Sequence, residues 1–236
     1  MDGMILVDKT KGCTSHDVIA SLRRVLKTRK LGHTGTLDPD ATGLLIVLSG
    51  KATKLSRFIM LDGKTYRTMI RLGIETDSFD ASGKIVSTAQ VSGISRAKVE
   101  EVLESFTGEI RQTVPVVSAV KVKGKPLYKY ARQGIDVDPP EKTVVIHKIE
   151  LLSMDTGDEP TLDIIVECGS GTYIRSLASD IGRALGCGAH VADLRRLSSG
   201  PYSVDTAHTV DEIEQLFQKG AIDDFLIPMN GSCNDR

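Results

Sequence analysis

The sequence predicts an α+β fold built on a mixed sheet. Segments with strand and helix patterns are interspersed along the chain without strict alternation, which favours a mixed sheet over a parallel α/β arrangement. The composition, 40% hydrophobic and 26% charged residues, is typical of a globular protein. With 236 residues the chain is long enough for a large core and fits one or two domains.

The first elements are predicted from apolar runs and a cap. Ile5–Val7 has the pattern of a short strand. Thr14 or Ser15 can cap a helix, because the apolar residues that follow recur at helical spacing. That stripe consists of Val18, Ile19, Leu22, Val25 and Leu26. The stretch from Leu31 to Gly43 is rich in glycine and threonine and is predicted to be a loop.

The next segments continue this alternation of strands and short helices. Leu44–Leu48 is a continuous apolar strand, and Gly50 ends it. Lys51–Met60 is predicted to be a short helix and Thr65–Leu72 a strand. Ser95 caps a further helix, whose inward face carries Val99, Val102, Leu103 and Phe106 before Gly108 closes it.

The remaining chain contains three predicted strands and two helices. Val116–Val122 and Thr143–Ser153 are predicted strands, and the basic stretch between them has glycine and proline at its borders, as expected for an excursion from the sheet. Thr161–Cys168 alternates as a strand. A loop and an amphipathic helix over Ile174–Leu185 follow, and Thr209 caps a last helix that runs through Phe217.

Composition also excludes several classes of protein. No apolar run approaches the ~20 residues that a membrane helix needs, and the N-terminal apolar run is too short for a signal peptide. The four cysteines lie far apart, as expected for reduced thiols in the cytoplasm. Cys187 and His190 have C-x-x-H spacing, but no second pair completes a metal site. We therefore expect a cytoplasmic protein without a metal.

The net charge of −1 predicts no nucleic-acid partner, but the basic residues are clustered. Residues 18–37 and 110–135 contain no acidic residue, so each stretch is locally positive. The clusters could follow a phosphate backbone, or they could simply be solvated surfaces. They consist of Arg23, Arg24, Lys27, Arg29 and Lys30 in the first stretch and of Arg111, Lys121, Lys123, Lys125, Lys129 and Arg132 in the second.

The predicted loop from Gly32 to Gly43 is the most unusual stretch. It has neither the G-K-[ST] ending of a Walker loop nor the spacing of a dinucleotide-binding turn. Asp38 precedes Pro39, and a residue before proline is restricted to extended geometry. Asp38 is therefore either a turn initiator or a carboxylate held in a fixed direction among small residues.

Five motifs resemble the TruB family of bacterial tRNA pseudouridine-55 synthases. The first is GHTGTLDPDATGLL (Gly32–Leu45), which resembles the family's catalytic motif. The others occur in the family's order and at compatible spacing, and together they cover nearly the whole chain. They are Asp8-Lys9 with Gly12-Cys13-Thr14-Ser15, Lys64-Thr65-Tyr66-Arg67, Cys168–Arg175 (CGSGTYIR) and Gly186–Leu197 (GCGAHVADLRRL).

The resemblance implies a fold and a domain plan. It implies a largely antiparallel mixed sheet with flanking helices, a central RNA-binding cleft and an inserted thumb that clamps RNA. We expect residues 1–230 to form the catalytic domain, residues 123–142 the thumb (the thumb segment below) and residues 231–236 a tail. The C-terminal PUA domain usual in the family is expected to be absent, either because the protein is short or because the sequence is truncated.

The resemblance also implies the residues of the reaction, in which uridine becomes pseudouridine. Asp38 matches the nucleophile, and attack at C1′, attack at C6 or elimination to a glycal could each start from its carboxylate. Arg175 matches the arginine that pairs with this aspartate and keeps it ionised. Tyr66 matches the aromatic residue that stacks on the target base and helps to remove its C5 proton. Tyr173 and Leu194 match residues that line the uracil pocket.

The partner implied by the resemblance is the T-arm of tRNA, whose target uridine must be flipped out of its loop. His33 matches a histidine that enters the disrupted loop, and Lys9 is expected to contact the RNA backbone. We expect a monomer that needs no protein partner and no cofactor, since the isomerisation gains no atoms. A non-catalytic RNA-binding or RNA-folding module on the same scaffold is the alternative, and a guide-RNA-dependent H/ACA subunit is a more distant one. The proposed backbone contacts are Arg23, Arg24, Lys27, Lys121, Lys123, Lys125, Lys129 and Arg132.

Overall fold

The computed structural model describes residues 1–228. Within it the chain forms two compact units, and it passes from one to the other between residues 65 and 66 and again between residues 194 and 195. The first unit contains Met1–Thr65 together with the chain from Arg195 onwards, and the second contains Tyr66–Leu194. None of the helices within residues 1–228 combines the length and the apolar character needed to cross a membrane.

The secondary structure of the described residues follows in chain order. The strands are β1 (Gly3–Lys9), β2 (Leu31–Thr34), β3 (Thr42–Ser49), β4 (Lys64–Leu72), β5 (Ile74–Thr76), β6 (Ile85–Thr88), β7 (Gly108–Thr113), β8 (Lys121–Val122), β9 (Lys125–Pro126), β10 (Glu141–Asp155), β11 (Thr161–Cys168), β12 (Ala189–Ser199), β13 (Tyr202–Ser203) and β14 (Leu226–Pro228). The α-helices are α1 (Ser15–Val25), α2 (Ser56–Ile59), α3 (Arg96–Ser105), α4 (Leu127–Ala131), α5 (Ile174–Ala184) and α6 (Val210–Gln218), and 3-10 turns cover Gly50–Leu55, Val204–Thr206 and Ile222–Asp224.

In the first unit, β3 is the central strand. β1 runs antiparallel to it from Gly3, opposite Ser49, to Lys9, opposite Gly43, and β14 extends the sheet on the far side of β1. β2 is also antiparallel to β3, whereas the end of β12 pairs with β3 in parallel. A core cluster between β1, β3 and two of the 3-10 turns is aliphatic. It includes Met4, Leu6, Leu44, Ile46, Leu48, Ala52 and Val204.

In the second unit the strand order is β12, β4, β11, β10, β7. The long strand β10 is antiparallel to both β11 and β7, and β5–β6 and β8–β9 form separate two-stranded pairs. α5 lies over this unit with a wholly buried apolar face. The mixed, mainly antiparallel pairing confirms the predicted α+β class.

Most predicted helices and strands are confirmed. Thr14 is the cap of α1, and Asp17 completes a capping box in which each of the two side chains accepts the other residue's main-chain N–H. Ser95 and Thr209 cap α3 and α6 as predicted, and β11 has the predicted bounds.

Three predictions of secondary structure were wrong or incomplete, and several strands were not predicted at all. The stretch from Gly32 to Gly43 is not all loop, because β2 occupies Leu31–Thr34 and β3 begins at Thr42. Lys51–Met60 is a 3-10 turn followed by a single α-helical turn. A strand was predicted over Val116–Val122, but only Lys121–Val122 forms one. The strands β7 and β12 were not predicted. The division into a catalytic domain (residues 1–230) with a thumb stays a prediction, and the 231–236 tail lies outside the described residues.

Candidate active site

Asp38 lies on a short connection between β2 and β3, residues 35–41, called the Asp38 loop below. Glycines with left-handed backbone mark both ends, Gly35 with φ +85° just inside the loop and Gly43 with φ +96° just beyond it. Within the loop the Ala41 N–H donates to the Asp38 carbonyl over 3.1 Å, which forms a tight turn around Pro39. The loop is therefore short and closely folded.

Ser15 fixes the residue before Asp38. The Leu37 N–H donates to Ser15 Oγ over 2.9 Å, and the Ser15 hydroxyl donates to the Leu37 carbonyl over 3.0 Å. Ser15 is the first residue of α1 and is buried, as is Leu37. The capped start of α1 thus holds the main chain on one side of the catalytic candidate.

Lys9 fixes the residues after Asp38. Its ammonium donates to the carbonyl oxygens of Thr10 (2.9 Å), Pro39 (3.0 Å) and Ala41 (2.6 Å). The Gly12 N–H donates to the same Pro39 carbonyl over 3.0 Å. The main chain is therefore held on both sides of Asp38.

The position of Lys9 corrects its predicted role. We predicted a contact to the RNA backbone, but Lys9 is only 1% exposed, and its donors are directed to main-chain carbonyls. Burial lowers the pKa of Lys9, and the neighbouring Cys13, Asp40 and Asp38 oppose that shift. The buried Lys9 ammonium thus stabilises the main chain of the Asp38 loop.

His33 lies on β2 next to this loop and is half-buried. Its Nδ1 is buried without a hydrogen-bond partner among the described residues. Burial, together with the positive charges of Arg196 and His16, lowers the pKa of His33, so the neutral imidazole is favoured. The assignment of His33 to RNA binding stays a prediction.

In the second unit, Tyr66 and Leu194 lie on β4 and β12, and each is only 8% exposed. β4 alternates buried and exposed positions, which turns Tyr66 and Thr68 to the same face. The Thr68 hydroxyl donates to the Asp193 carbonyl over 2.8 Å, which ties the two strands together beside Leu194. The unit thus fixes the strands that carry both predicted residues.

Tyr173 lies at the start of α5, where a buried glutamine holds its main chain. The Tyr173 N–H donates to Gln112 Oε1 over 3.0 Å, and Gln112 Nε2 donates to the Tyr173 carbonyl over 3.2 Å. The Ser176 hydroxyl donates to the Thr113 carbonyl over 2.7 Å and anchors the same turn to β7. Gln112 was not identified from the sequence, since a polar residue on an unpredicted strand gives no signal of its own.

Arg175, the second residue of α5, is buried rather than on the surface. Only 5% of it is exposed, and its Nη1 and Nη2 donate to the carbonyls of Ser78 (3.1 Å) and Val117 (3.0 Å). Asp80 Oδ2 lies 3.4 Å from Nη1 and provides a carboxylate partner. Arg175 therefore joins two loops of the second unit, and its pairing with Asp38 stays a prediction.

Asp80, the carboxylate partner of Arg175, was not identified from the sequence. Its Oδ1 accepts from the Ser78 hydroxyl (2.7 Å), the Ser82 N–H (3.0 Å) and the Ser82 hydroxyl (2.6 Å). These donors fix the carboxylate that faces Arg175. The run of small polar residues around Asp80, DSFDASG, is the signal that could have drawn attention to it.

The basic clusters are mostly exposed. Arg23, Arg24 and Lys27 are exposed near the end of α1, although Arg23 also donates to the Leu31 carbonyl over 3.1 Å. At the start of the thumb segment Lys123 and Gly124 have φ of +50° and +80°, the positive values that a tight hairpin turn requires.

The side chains of the thumb segment are partly paired with one another. Lys125 lies over the Tyr130 ring at 4.3 Å and donates to Gln133, and Arg132 lies over Tyr128 at 5.6 Å. Lys123, Lys129 and Arg132 are exposed, as is Lys121 just before the segment, and Lys125 is half-buried. Their contacts to RNA stay predictions.

Two family models match the chain, and together they cover most of it. The TruB family pseudouridylate synthase N-terminal domain matches residues 23–174, and the tRNA pseudouridylate synthase B C-terminal domain matches residues 175–232. The chain belongs to the TruB family. It is thus an enzyme of the isomerase class, a pseudouridylate synthase.

Curated relatives of this TruB chain are similar over almost its full length. The tRNA pseudouridine synthase B of Geobacillus thermodenitrificans is 45% identical over 233 residues, which are 97% of this chain and 77% of the relative. That of Bordetella avium is 48% identical over 218 residues, 92% of this chain and 88% of the relative.

Solved structures with the same fold are larger. An H/ACA RNP bound to a substrate RNA containing 2′-deoxyuridine matches with TM-score 0.71 and 29% identity, over 96% of this chain and 59% of that one. A Cbf5–Nop10–Gar1 complex matches with TM-score 0.72 and 32% identity, over 94% of this chain and 58% of that one. The chain spans under two thirds of the length of these two proteins.

Proposed function

We propose that this protein converts uridine 55 in the T-loop of tRNA to pseudouridine, with Asp38 as the nucleophile. Family membership supports the reaction, and the relatives that share 45–48% identity with this chain are tRNA pseudouridine synthases B. The Cbf5 complex shares only 32% identity, which favours a tRNA substrate over a guide-RNA-dependent one. We further propose that the enzyme acts as a monomer without a protein partner.

The fixation of the Asp38 loop is the observation that carries the proposal. Leu37 is held by Ser15 and Pro39 by Lys9 and Gly12, so the backbone on either side of Asp38 has little freedom. A nucleophile that is already positioned loses little entropy when substrate binds, and such positioning accounts for much of enzymatic rate enhancement.

The reaction is an internal rearrangement. The N1–C1′ bond of the uridine breaks, the base turns, C5 bonds to C1′, the C5 proton leaves and N1 gains a proton. The Asp38 carboxylate donates an electron pair to the sugar or to the base while the base is detached. The pair returns to the carboxylate when the product forms. The atoms and electrons of this reaction balance without an oxidant or a group donor, so the proposed reaction uses no cofactor.

Tyr66 and Arg175 complete the proposed chemistry. Arg175 keeps the Asp38 carboxylate ionised, since an unpaired carboxylate facing a nucleobase in a dry pocket would take up a proton. Tyr66 stacks against the flipped base and helps to remove the C5 proton. Tyr173 and Leu194 line the uracil pocket.

The RNA is bound in two ways in this proposal. The target nucleotide is flipped out of the T-loop at a cost of a few kcal/mol, and His33 enters the loop that this opens. The exposed lysine and arginine side chains of α1 and of the thumb segment contact RNA phosphates. The affinity for tRNA should therefore fall as the salt concentration rises. Recognition rests on the shape of the folded T-arm.

A tritium-release assay tests the function. Purified protein is mixed with unmodified tRNA carrying tritium at uridine C5, and we expect tritium in the water because C5 loses its proton. The matched control is the same tRNA with cytidine at position 55, from which no release is expected above a no-enzyme blank. Release that is unaffected by this replacement would refute the assignment of position 55. Tight tRNA binding with no release would instead support a non-catalytic RNA-binding module.

A further inference from the structure

The motif GCGAHVADLRRL contains two arginines, just before its final leucine, that the proposed mechanism does not use. They lie next to each other on β12 and serve different contacts. Arg195 forms a two-bond ion pair with Asp8, at 3.0 and 2.7 Å. Arg196 is 1% exposed and is among the largest wholly buried side chains of the described residues.

Arg196 joins the two ends of the Asp38 loop. Its Nη2 donates to the Gly35 carbonyl over 3.1 Å, and its Nε donates to the Leu44 carbonyl over 2.6 Å. Gly35 is the first residue after β2, and Leu44 lies near the start of β3. A single guanidinium therefore binds the chain where it enters the loop and where it leaves it.

The main chain of Arg196 is held as tightly as its side chain. β12 pairs in parallel with β3, with Arg196 opposite Gly43. A Cβ on Gly43 would lie 2.2 Å from the Arg196 carbonyl oxygen, so only glycine allows this approach. The guanidinium thus extends from a backbone position that is fixed relative to the loop.

We propose that Arg196 is a positioning residue for the isomerisation. By binding both ends of the Asp38 loop, Arg196 keeps the Asp38 carboxylate in one position before RNA binds. This role rests on the proposed function. Ser15 and Lys9 hold the loop between Leu37 and Ala41, whereas Arg196 binds the chain on either side of that stretch, at Gly35 and Leu44.

The role requires arginine rather than any cation. The guanidinium is a rigid planar fork that can donate to two carbonyls in fixed directions, whereas the lysine ammonium is a point charge on a flexible stem. Arg196→Lys keeps the charge and most of the volume, but it can satisfy the two loop ends only imperfectly. A displacement of a catalytic group by about 1 Å can lower a rate by about 100-fold.

The test compares Arg196→Lys with wild type and with Arg71→Lys. Arg71 is a matched control because its side chain is only 16% exposed and because lysine can keep its ion pair with Glu159, which is 3.0 Å long. Three quantities are measured: the single-turnover rate of tritium release, the dissociation constant for tRNA, and the midpoint of thermal unfolding. For Arg196→Lys we expect the rate to fall by about 10- to 100-fold, while the dissociation constant stays within about threefold of wild type.

The outcomes separate this proposal from the proposed function. If wild type releases no tritium, the proposed function fails, and the role of Arg196 fails with it. If wild type is active and Arg196→Lys is equally active, only the role of Arg196 fails. A loss of rate that is matched by an equal loss of tRNA affinity, or that also occurs in Arg71→Lys, would likewise overturn it.

Hydrogen exchange in the wild-type protein provides a test that does not depend on whether a variant folds. The N–H groups of Leu37 and Ala41 are hydrogen-bonded in the free protein, at 2.9 and 3.1 Å. A loop whose ends are closed should protect both amides before RNA is added. Exchange at the rate of an unstructured peptide would show that the loop is not held, and would overturn the proposal.

Discussion

The buried ammonium of Lys9 leads to a quantitative prediction about stability. Lys9→Met retains the apolar stem but leaves the carbonyls of Thr10, Pro39 and Ala41 without their donor. Each hydrogen bond from a charged donor contributes about 1.5–3 kcal/mol, so three sum to about 4.5–9 kcal/mol. Removing the buried charge also recovers several kcal/mol of desolvation cost. We expect a net loss of about 3 kcal/mol, which lowers the unfolding midpoint by about 6–12 °C in a chain of this size.

Thermal unfolding of Lys9→Met, Lys11→Met and wild type measures this loss. Lys11 is exposed two residues away, so its replacement should change stability by no more than about 0.5 kcal/mol. The salt dependence of tRNA affinity supplies a second comparison, because loss of a phosphate contact would reduce its slope by about one. Equal midpoints for the two variants, or a reduced salt slope in Lys9→Met, would refute the buried supporting role of Lys9.

Three further predictions concern both units. Asp80→Asn should loosen Arg175 and lower the rate of tritium release by about tenfold, equivalent to roughly 1.4 kcal/mol, at unchanged tRNA affinity; an unaltered rate would count against the ion pair. Gly43→Ala should destabilise the protein by about 2–3 kcal/mol in denaturant titration, because its Cβ would meet a main-chain carbonyl of β12, whereas Gly32→Ala, with open space around it, should be tolerated. The pKa of His33 is lowered below 6.5 in the folded protein, so on acidification the unfolded chain binds the proton at a higher pH than the folded protein does. Wild type should therefore lose stability relative to His33→Gln as pH falls below 6.5. Parallel profiles of stability against pH for the two proteins would contradict this.

The parts of the fold that were predicted correctly have local signals. Thr14 and Asp17 lie within one helical turn of each other, so the start of α1 can be predicted from a few residues. β2 was interpreted as loop because Leu31–Thr34 has no strand pattern, and its extended form comes from pairing with β3. Pairing between distant segments is set by the tertiary structure, which local composition does not reveal.

The candidate site shows the same division between local and distant information. The motif around Asp38 drew attention to the loop, and the resemblance named Arg175, whose role in the site stays a prediction. The burial of Lys9 could not be predicted, because its ammonium donates to main-chain carbonyls of Pro39 and Ala41, which are about 30 residues away in the sequence. Asp80 was missed for a related reason, because only the fold brings it to Arg175.

The central claim is that the carboxylate at position 38 is the nucleophile, and single-turnover tritium release tests it most directly. Asp38→Asn and Asp40→Asn are compared on the same tRNA, since Asp40 is an exposed acid of the same loop and a matched control. We predict no release by Asp38→Asn, with tRNA affinity retained, and near-normal release by Asp40→Asn. Normal release by Asp38→Asn would contradict the account.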